Sequence, residues 1–416
     1  MFYQLYELNH AFMAPFRATA DAMNLVWKNP LNPWSHTVVG RSFSAGFEVF
    51  ERVTRRYGKP AFGLPTTTVE GESVAVEEEI VWRRPFCDLI HFKRHLPAGA
   101  EKGPRILIVA PMSGHYATLL RGTVEALLPS ADLYITDWID ARMVPVTEGD
   151  FDLDDYIDYL IAFLEHIGPG THMLAVCQPS VPAYAAAAVM GANENPCRPA
   201  TLTMMGGPID TREAPTSVND LAMQRPLEWF EHSVIATVPL SYPGAGRKVY
   251  PGFLQLAGFF SMNLGNHIMS HYAMFNHLVE GDGESADATK AFYDEYRSVC
   301  DMTAEFYLQT IEHVFQKHSL PRNEFVHRGQ RIDLGAIRDT ALLAIEGEKD
   351  DISGIGQTRA SLHLAKNLPE AKKRYYLAEN VGHYGIFNGS KWRGRIAPVV
   401  EEWIAQNSKP ALKVVA

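Results

Sequence analysis

Apolar and polar positions alternate along the chain in three distinct ways. Residues 1 to about 62 carry a helical pattern rich in aromatics, among them Phe2, Tyr3, Tyr6, Phe12, Phe16, Trp27 and Trp34. From about 65 to 95 the stretch TTTVEGESVAVEEEIVWRRPFCDLIHFKRH has β-branched residues, period-two alternation and a glycine turn, the marks of antiparallel strands. From 105 onward short apolar runs follow one another with helical stretches between them. RILIVAP (105–111), DLYITDW (132–138), HMLAVC (172–177) and ATLTMMGG (200–207) predict strands buried on both faces.

In DLDDYIDYLIAFLEHIGPG, Ile157, Leu160, Ile161 and Leu164 recur at helical spacing. Asp152, Asp154 and Asp155 suit its positive N-terminal end, and Gly168-Pro169 stops it. The alternation disappears between about 208 and 338, where the chain is helical and rich in Met and aromatics, then resumes. TALLAIEGEKDD (340–351) predicts a strand ending in acids, ISGIGQTRASLHLAKNLP a helix, KKRYYLAEN (372–380) the last strand and 390–406 the closing helix. This order implies an α/β fold: a mostly parallel sheet with helices on both faces, an N-terminal extension and a helical cap insertion. The expected division is 1–100 for the extension and leading strands, 101–207 for the first half of the core, 208–338 for the cap and 339–416 for the second half.

A net charge of −10 argues against a nucleic-acid partner, and no apolar run reaches the length of a membrane span. The N-terminus lacks a basic region followed by an unbroken apolar one, so it reads as no secretory signal. Four scattered cysteines (Cys87, Cys177, Cys197, Cys300) form no CxxC pair and no disulfide framework, which fits a reducing, cytoplasmic setting. The sequence calls for no cofactor and no metal. A homo-oligomer is compatible with it.

Chemistry gathers at the C-terminal ends of such strands, and three candidates stand there: Cys177, the pair Asp350/Asp351, and His383. Their chain order is nucleophile, acid, histidine. Free cysteine on an apolar strand is ordinarily core filling. Here, however, the strand stops at Cys177, and Pro179 belongs in the first turn of a helix, not in a central strand. A strand-to-helix turn presents the side chain above the sheet, aims following main-chain N–H groups at a developing oxyanion, and favours a thiolate. Cys87, Cys197 and Cys300 have no such setting. Asp350 has the Gly-x-x-Asp spacing of an acid that orients a histidine, and His383 follows the last strand between Gly382 and Gly385. The expected oxyanion donors are the N–H groups of Gln178 and of Met112, with Ser113 next. His115, in the same loop, reads as a polar loop residue.

Several motifs resemble a known family, the intracellular poly(3-hydroxybutyrate) depolymerases. They are MFYQLYELNH, PMSGHYATLLRGTVE, AVCQPSVPA, MMGGPIDTR, EGEKDDISGIGQT and ENVGHYGIFNG, spread over nearly the whole length. The resemblance implies an α/β-hydrolase fold with a cap, and places the nucleophile on Cys177, the acid on Asp350 and the base on His383. It also implies a polyester partner, the poly(3-hydroxybutyrate) granule, and a granule-associated location. Ala175 and Pro179 stand where α/β-hydrolases usually have glycine. In the cap, 251–279 is strongly apolar, and Phe253, Phe259, Phe260, Met262, Met269 and Tyr272 are the candidates for polymer contact, although most such residues would form the cap's own core. The expected activity is ester hydrolysis through an acyl-enzyme thioester. Transfer to coenzyme A, a polyester-synthase-like acyl transfer and a catalytically silent granule coat are the alternatives.

Overall fold

The computed structural model describes residues 2–262 and 264–408. Nine strands form one sheet: β1 (Thr66–Val69), β2 (Glu72–Arg84), β3 (Cys87–Arg94), β4 (Arg105–Val109), β5 (Asp132–Trp138), β6 (His172–Val176), β7 (Thr201–Met205), β8 (Ala341–Gly347) and β9 (Lys373–Ala378). Their spatial order is β1-β2-β3-β5-β4-β6-β7-β8-β9. The first three strands meet their neighbours antiparallel, and β5-β4-β6-β7-β8-β9 is parallel throughout. A parallel sheet in which the chain steps across β4 to β6 and then works outward through β7, β8 and β9 has the strand order of the α/β-hydrolase fold.

Every residue of β6, β7 and β8 is buried, so both faces of the sheet centre are covered. The cover comes from α3 (Arg121–Leu127), α4 (Leu153–Ile167), α5 (Ser180–Ala192), a short α12 (Ala360–Leu364) and α13 (Ala397–Asn407). Helix α4 starts where its acids predicted: Asp152 and Asp155 each accept the other's main-chain N–H at 2.9 Å, a reciprocal cap that satisfies two otherwise orphan donors. Gly168 ends it.

One expected helix is mostly absent. Of residues 352–369 only Ala360–Leu364 is helical. The fully buried Glu346 carboxylate collects the N–H groups of Gly356, Thr358 and Arg359 at 2.8–2.9 Å, and a segment wound around a carboxylate cannot also form a helical ladder.

The N-terminal segment forms α1 (Phe2–Lys28) and α2 (Val38–Thr54), packed on each other. Between β7 and β8 the chain builds a cap from α6 (Ser217–Gln224), α7 (Leu227–Val234), α8 (Gly252–Met262), α9 (Leu264–Glu280), α10 (Gly283–Tyr296) and α11 (Ala304–Thr310), with a small three-stranded sheet. Helix α2 lies against α9, and ion pairs tie it to α10: Arg52 with Asp294 at 2.6 Å and Glu48 with Lys290 at 2.7 Å. Tyr3 pins the start of α1 by donating to the buried Asp301 at 2.8 Å. No helix among the described residues is long and apolar enough to cross a membrane.

Candidate active site

Strand β6 ends at Val176, and Cys177 turns the chain with φ at +67°, in the left-handed region that side chains other than glycine avoid. Its own N–H donates to Met205 at 2.7 Å, and its carbonyl accepts from Ser180 N–H at 3.0 Å as α5 begins. Strain at a single residue held by such bonds is what a fold retains where a side chain must be presented.

The turn is tight despite Ala175 and Pro179. The room comes from the neighbouring strand, where β7 runs into Gly206-Gly207. A Cβ on Gly207 would sit 2.1 Å from Ser180 Oγ and 3.0 Å from the Cys177 carbonyl oxygen. One on Gly206, at φ +60°, would come within 3.1 Å of the His383 ring and 3.2 Å of Asp350 Oδ2. Replacing Gly207 with alanine should therefore push the turn aside, costing about 1–3 kcal/mol, the usual range for overpacking. A denaturant midpoint shifted by that amount, with activity lost together with it, is the expected result.

The structure brings three of the residues singled out in the sequence into one cluster. His383 Nδ1–H donates to Asp350 Oδ2 at 2.7 Å, and both side chains are almost fully buried. Asp350 Oδ1 accepts the N–H groups of Ile352 and Ser353 at 2.9 and 2.8 Å, which fixes the carboxylate. Asp351 is exposed at the surface. With Nδ1 committed to Asp350, Nε2 is left for the thiol. Burial opposes a charge on His383, but the Asp350 carboxylate and the Cys177 sulfur together outweigh it and hold the imidazole well above its ordinary range. That is the electrostatics of an acid–histidine–nucleophile relay.

Cys177 and His383 open into an apolar cavity of about 690 Å³. Met112, Ser113 and Gln178 line it as well. Among the described residues, none of their main-chain N–H groups donates to a protein acceptor, which leaves them available to an oxyanion. The loop bearing Met112 is pinned to the cap: Gly114 accepts from Cys300 N–H at 2.8 Å, and buried His115 donates Nε2–H to Tyr296 at 3.0 Å. Burial lowers the His115 pKa to about 4. In the unfolded chain it would titrate near 6.5. Between those values only the unfolded state gains the proton, so stability falls as the pH drops from 6.5 to 4. Replacing His115 with glutamine, which keeps a donor for Tyr296, should remove about 2 kcal/mol of the stability lost between pH 7 and pH 4.5. Chemical unfolding of variant and parent at pH 7 and pH 4.5 checks it.

The cap residues divide. Phe259 lines the cavity. Phe253 does not reach it; it stacks on Tyr6 with ring centroids 4.1 Å apart and meets Tyr3 edge-on. Phe260 packs against His267 and Tyr296. Met269 and Tyr272 stand exposed on α9. The Met262 side chain lies outside the described residues. Much of the remaining cavity wall was not singled out in the sequence: Phe230 comes from α7, Tyr250 from the small sheet, Phe306, Tyr307 and Ile311 from α11 and its continuation, and Tyr384 follows the histidine. Only Phe306, Tyr307, Thr310 and Ile311, at helical spacing, gave a local signal. Gln178 adds a polar group: its side-chain Oε1 and Nε2 are buried and, among the described residues, have no partner.

Comparison with known proteins bears on the second half of the chain. Residues 206–408 match the family model described as PHB de-polymerase C-terminus. The matched region holds Asp350, His383 and the cap, and Cys177 precedes it. The poly(3-hydroxyalkanoate) polymerase subunit PhaC of Haloferax mediterranei is 29% identical over 119 residues, covering 26% of this chain and 21% of that subunit. The chain thus spans about a fifth of the length of that relative. Among solved structures, a thermophilic esterase from Thermogutta terrifontis is similar at 13% identity, covering 83% of this chain and 98% of that one with a TM-score of 0.42. The Paleococcus ferrophilus monoacylglycerol lipase is similar at 11% identity over 74% of this chain and 96% of that one, with a TM-score of 0.43. The strand order, not these distant likenesses, carries the fold.

Proposed function

We propose that the protein is a cysteine-dependent esterase that hydrolyses ester bonds of poly(3-hydroxybutyrate), working in the cytoplasm at the surface of storage granules. The observation that carries the reading is the strained Cys177 at an apolar cavity it shares with an Asp350-bound His383. The family match over residues 206–408 supports the polymer as substrate.

In this reading His383 Nε2 takes the Cys177 proton as sulfur attacks an ester carbonyl of the chain. The N–H groups of Gln178 and Met112 hold the resulting oxyanion. Collapse breaks the ester C–O bond, the departing alkoxide takes the proton from His383, and the acyl group remains on sulfur as a thioester. Water, deprotonated by His383, then attacks the thioester, releases a carboxylic acid and returns the proton to sulfur. Asp350 keeps the imidazole in the required tautomer throughout. The apolar wall suits an aliphatic polyester, which offers one ester per short hydrocarbon repeat.

The likeness to a polymerase subunit favours a second reading, acyl transfer to a growing chain. Purified protein given amorphous granules in one vessel and hydroxybutyryl-CoA in another separates the two. Soluble hydroxy acids from the granules support hydrolysis. Polymer growth without granule erosion would sink it in favour of transfer.

A further inference from the structure

The chain has a net charge of −10, yet one of its hollows is lined by five arginines and a single carboxylate, Asp301. This hollow, about 490 Å³, lies between the N-terminal helices and α8. Three of the guanidinium groups have acidic partners. Arg56 reaches Glu7 at 3.0 Å, Arg55 reaches Asp294 at 2.9 Å, and Arg142 reaches Asp140 at 2.9 Å.

The other two do not. Arg17 donates to the carbonyls of His10 at 2.8 Å and Thr54 at 3.1 Å, and Arg297 donates to that of Val53 at 2.6 Å. Neither has a carboxylate within ion-pair distance among the described residues. Carbonyls orient a guanidinium without neutralising it, so two positive charges at this hollow are fixed and uncompensated. Even the paired arginines keep spare donors. Arg55 Nε, Arg56 Nε and Arg56 Nη2 are buried and, among the described residues, have no acceptor. A buried cationic donor left unmatched is costly, and its presence in a native fold calls for a reason. Rings hold the planes in place: Arg56 lies 4.5 Å over Tyr6, and Arg297 lies 5.7 Å over Phe260.

Planar guanidinium forks match the paired oxygens of phosphates, and several converging on one cavity suit a ligand with more than one such group. We propose that this hollow binds a small molecule bearing a diphosphate group. The site is separate from the reaction described above. Helix α8 stands between the two cavities, with Leu256, Ala257 and Phe260 facing the arginines and Gln255, Gly258 and Phe259 facing Cys177. Binding can therefore be tested where catalysis is absent.

The experiment is calorimetric titration of the full-length Cys177→Ala protein with sodium pyrophosphate, coenzyme A, and 3-hydroxybutyrate as a carboxylate control. Saturable binding of pyrophosphate, weakening as salt is raised, is expected. Coenzyme A that binds and is displaced by pyrophosphate identifies a nucleotide as the source of the diphosphate. Pyrophosphate binding without coenzyme A binding identifies a free diphosphate. The Arg17→Gln/Arg297→Gln double variant should bind at least about tenfold more weakly, since charge-assisted bidentate contacts are the strong ones. Because Arg17 also braces α1 against α2, and Arg297 braces the end of α10 against α2, phenylglyoxal labelling of the unmutated protein gives a second measurement. Pyrophosphate should protect Arg17 and Arg297, located by peptide mass spectrometry. No binding, binding of the carboxylate alone, or labelling of both arginines unchanged by pyrophosphate overturns the proposal.

Discussion

Replacing Cys177 with alanine is expected to lower the release of soluble hydroxy acids from amorphous polymer by about a thousandfold or more, the loss typical when a nucleophile is removed from such a relay. Folding should survive, because the thiol contributes little to the core: Cys177 sits at the cavity and is only partly buried. Glycine at the same position separates chemistry from strain. At φ +67° a Cβ is unfavourable, so glycine should match alanine in inactivity yet exceed it in stability by about 1 kcal/mol. Thermal melts of the two variants beside an activity assay measure both effects. Full activity in Cys177→Ala would remove the nucleophile assignment and move the chemistry to another residue.

The second large effect belongs to Asp350→Asn. The carboxylate accepts three hydrogen bonds, two from the main chain and one from His383. An asparagine that satisfies the main-chain pair turns its NH2 toward Nδ1. That forces the imidazole proton onto Nε2, where it can no longer accept from the thiol. Hydrolysis should fall by about 10³–10⁴-fold. The same substitution deletes one of the two negative neighbours that raise His383, so its imidazole should titrate at lower pH than in the parent. Histidine NMR across the pH range reads this directly. An unchanged titration would show that Asp350 does not act through His383.

The elements that frame this cluster were readable because each is announced locally. Short apolar runs marked the parallel strands, Pro179 marked the helix after Cys177, and Gly-x-x-Asp marked the turn holding Asp350. What escaped prediction depends on contacts between distant segments. Helix α8 is apolar on several sides, with Phe253, Leu254, Leu256, Phe259 and Phe260, so its periodicity could not say which ring faces which cavity. The helix expected after β8 gave way to a loop because one buried carboxylate, Glu346, competes for its N–H groups. The arginine hollow draws on residues from Tyr6 to Asp301, and no window of sequence brings them together.

The displaced glycine has an evolutionary corollary. With Ala175 and Pro179 at the turn, the need for a missing side chain has moved to position 207, just past β7 and facing Ser180 at the start of α5. The two sites therefore share one constraint, and a substitution acceptable at either should depend on the other. Gly207→Ala ought to be harmful alone and milder beside Ser180→Gly, a coupling that a double-mutant cycle would resolve. For descendants of this chain, the order in which such changes arrive would decide which of them survive.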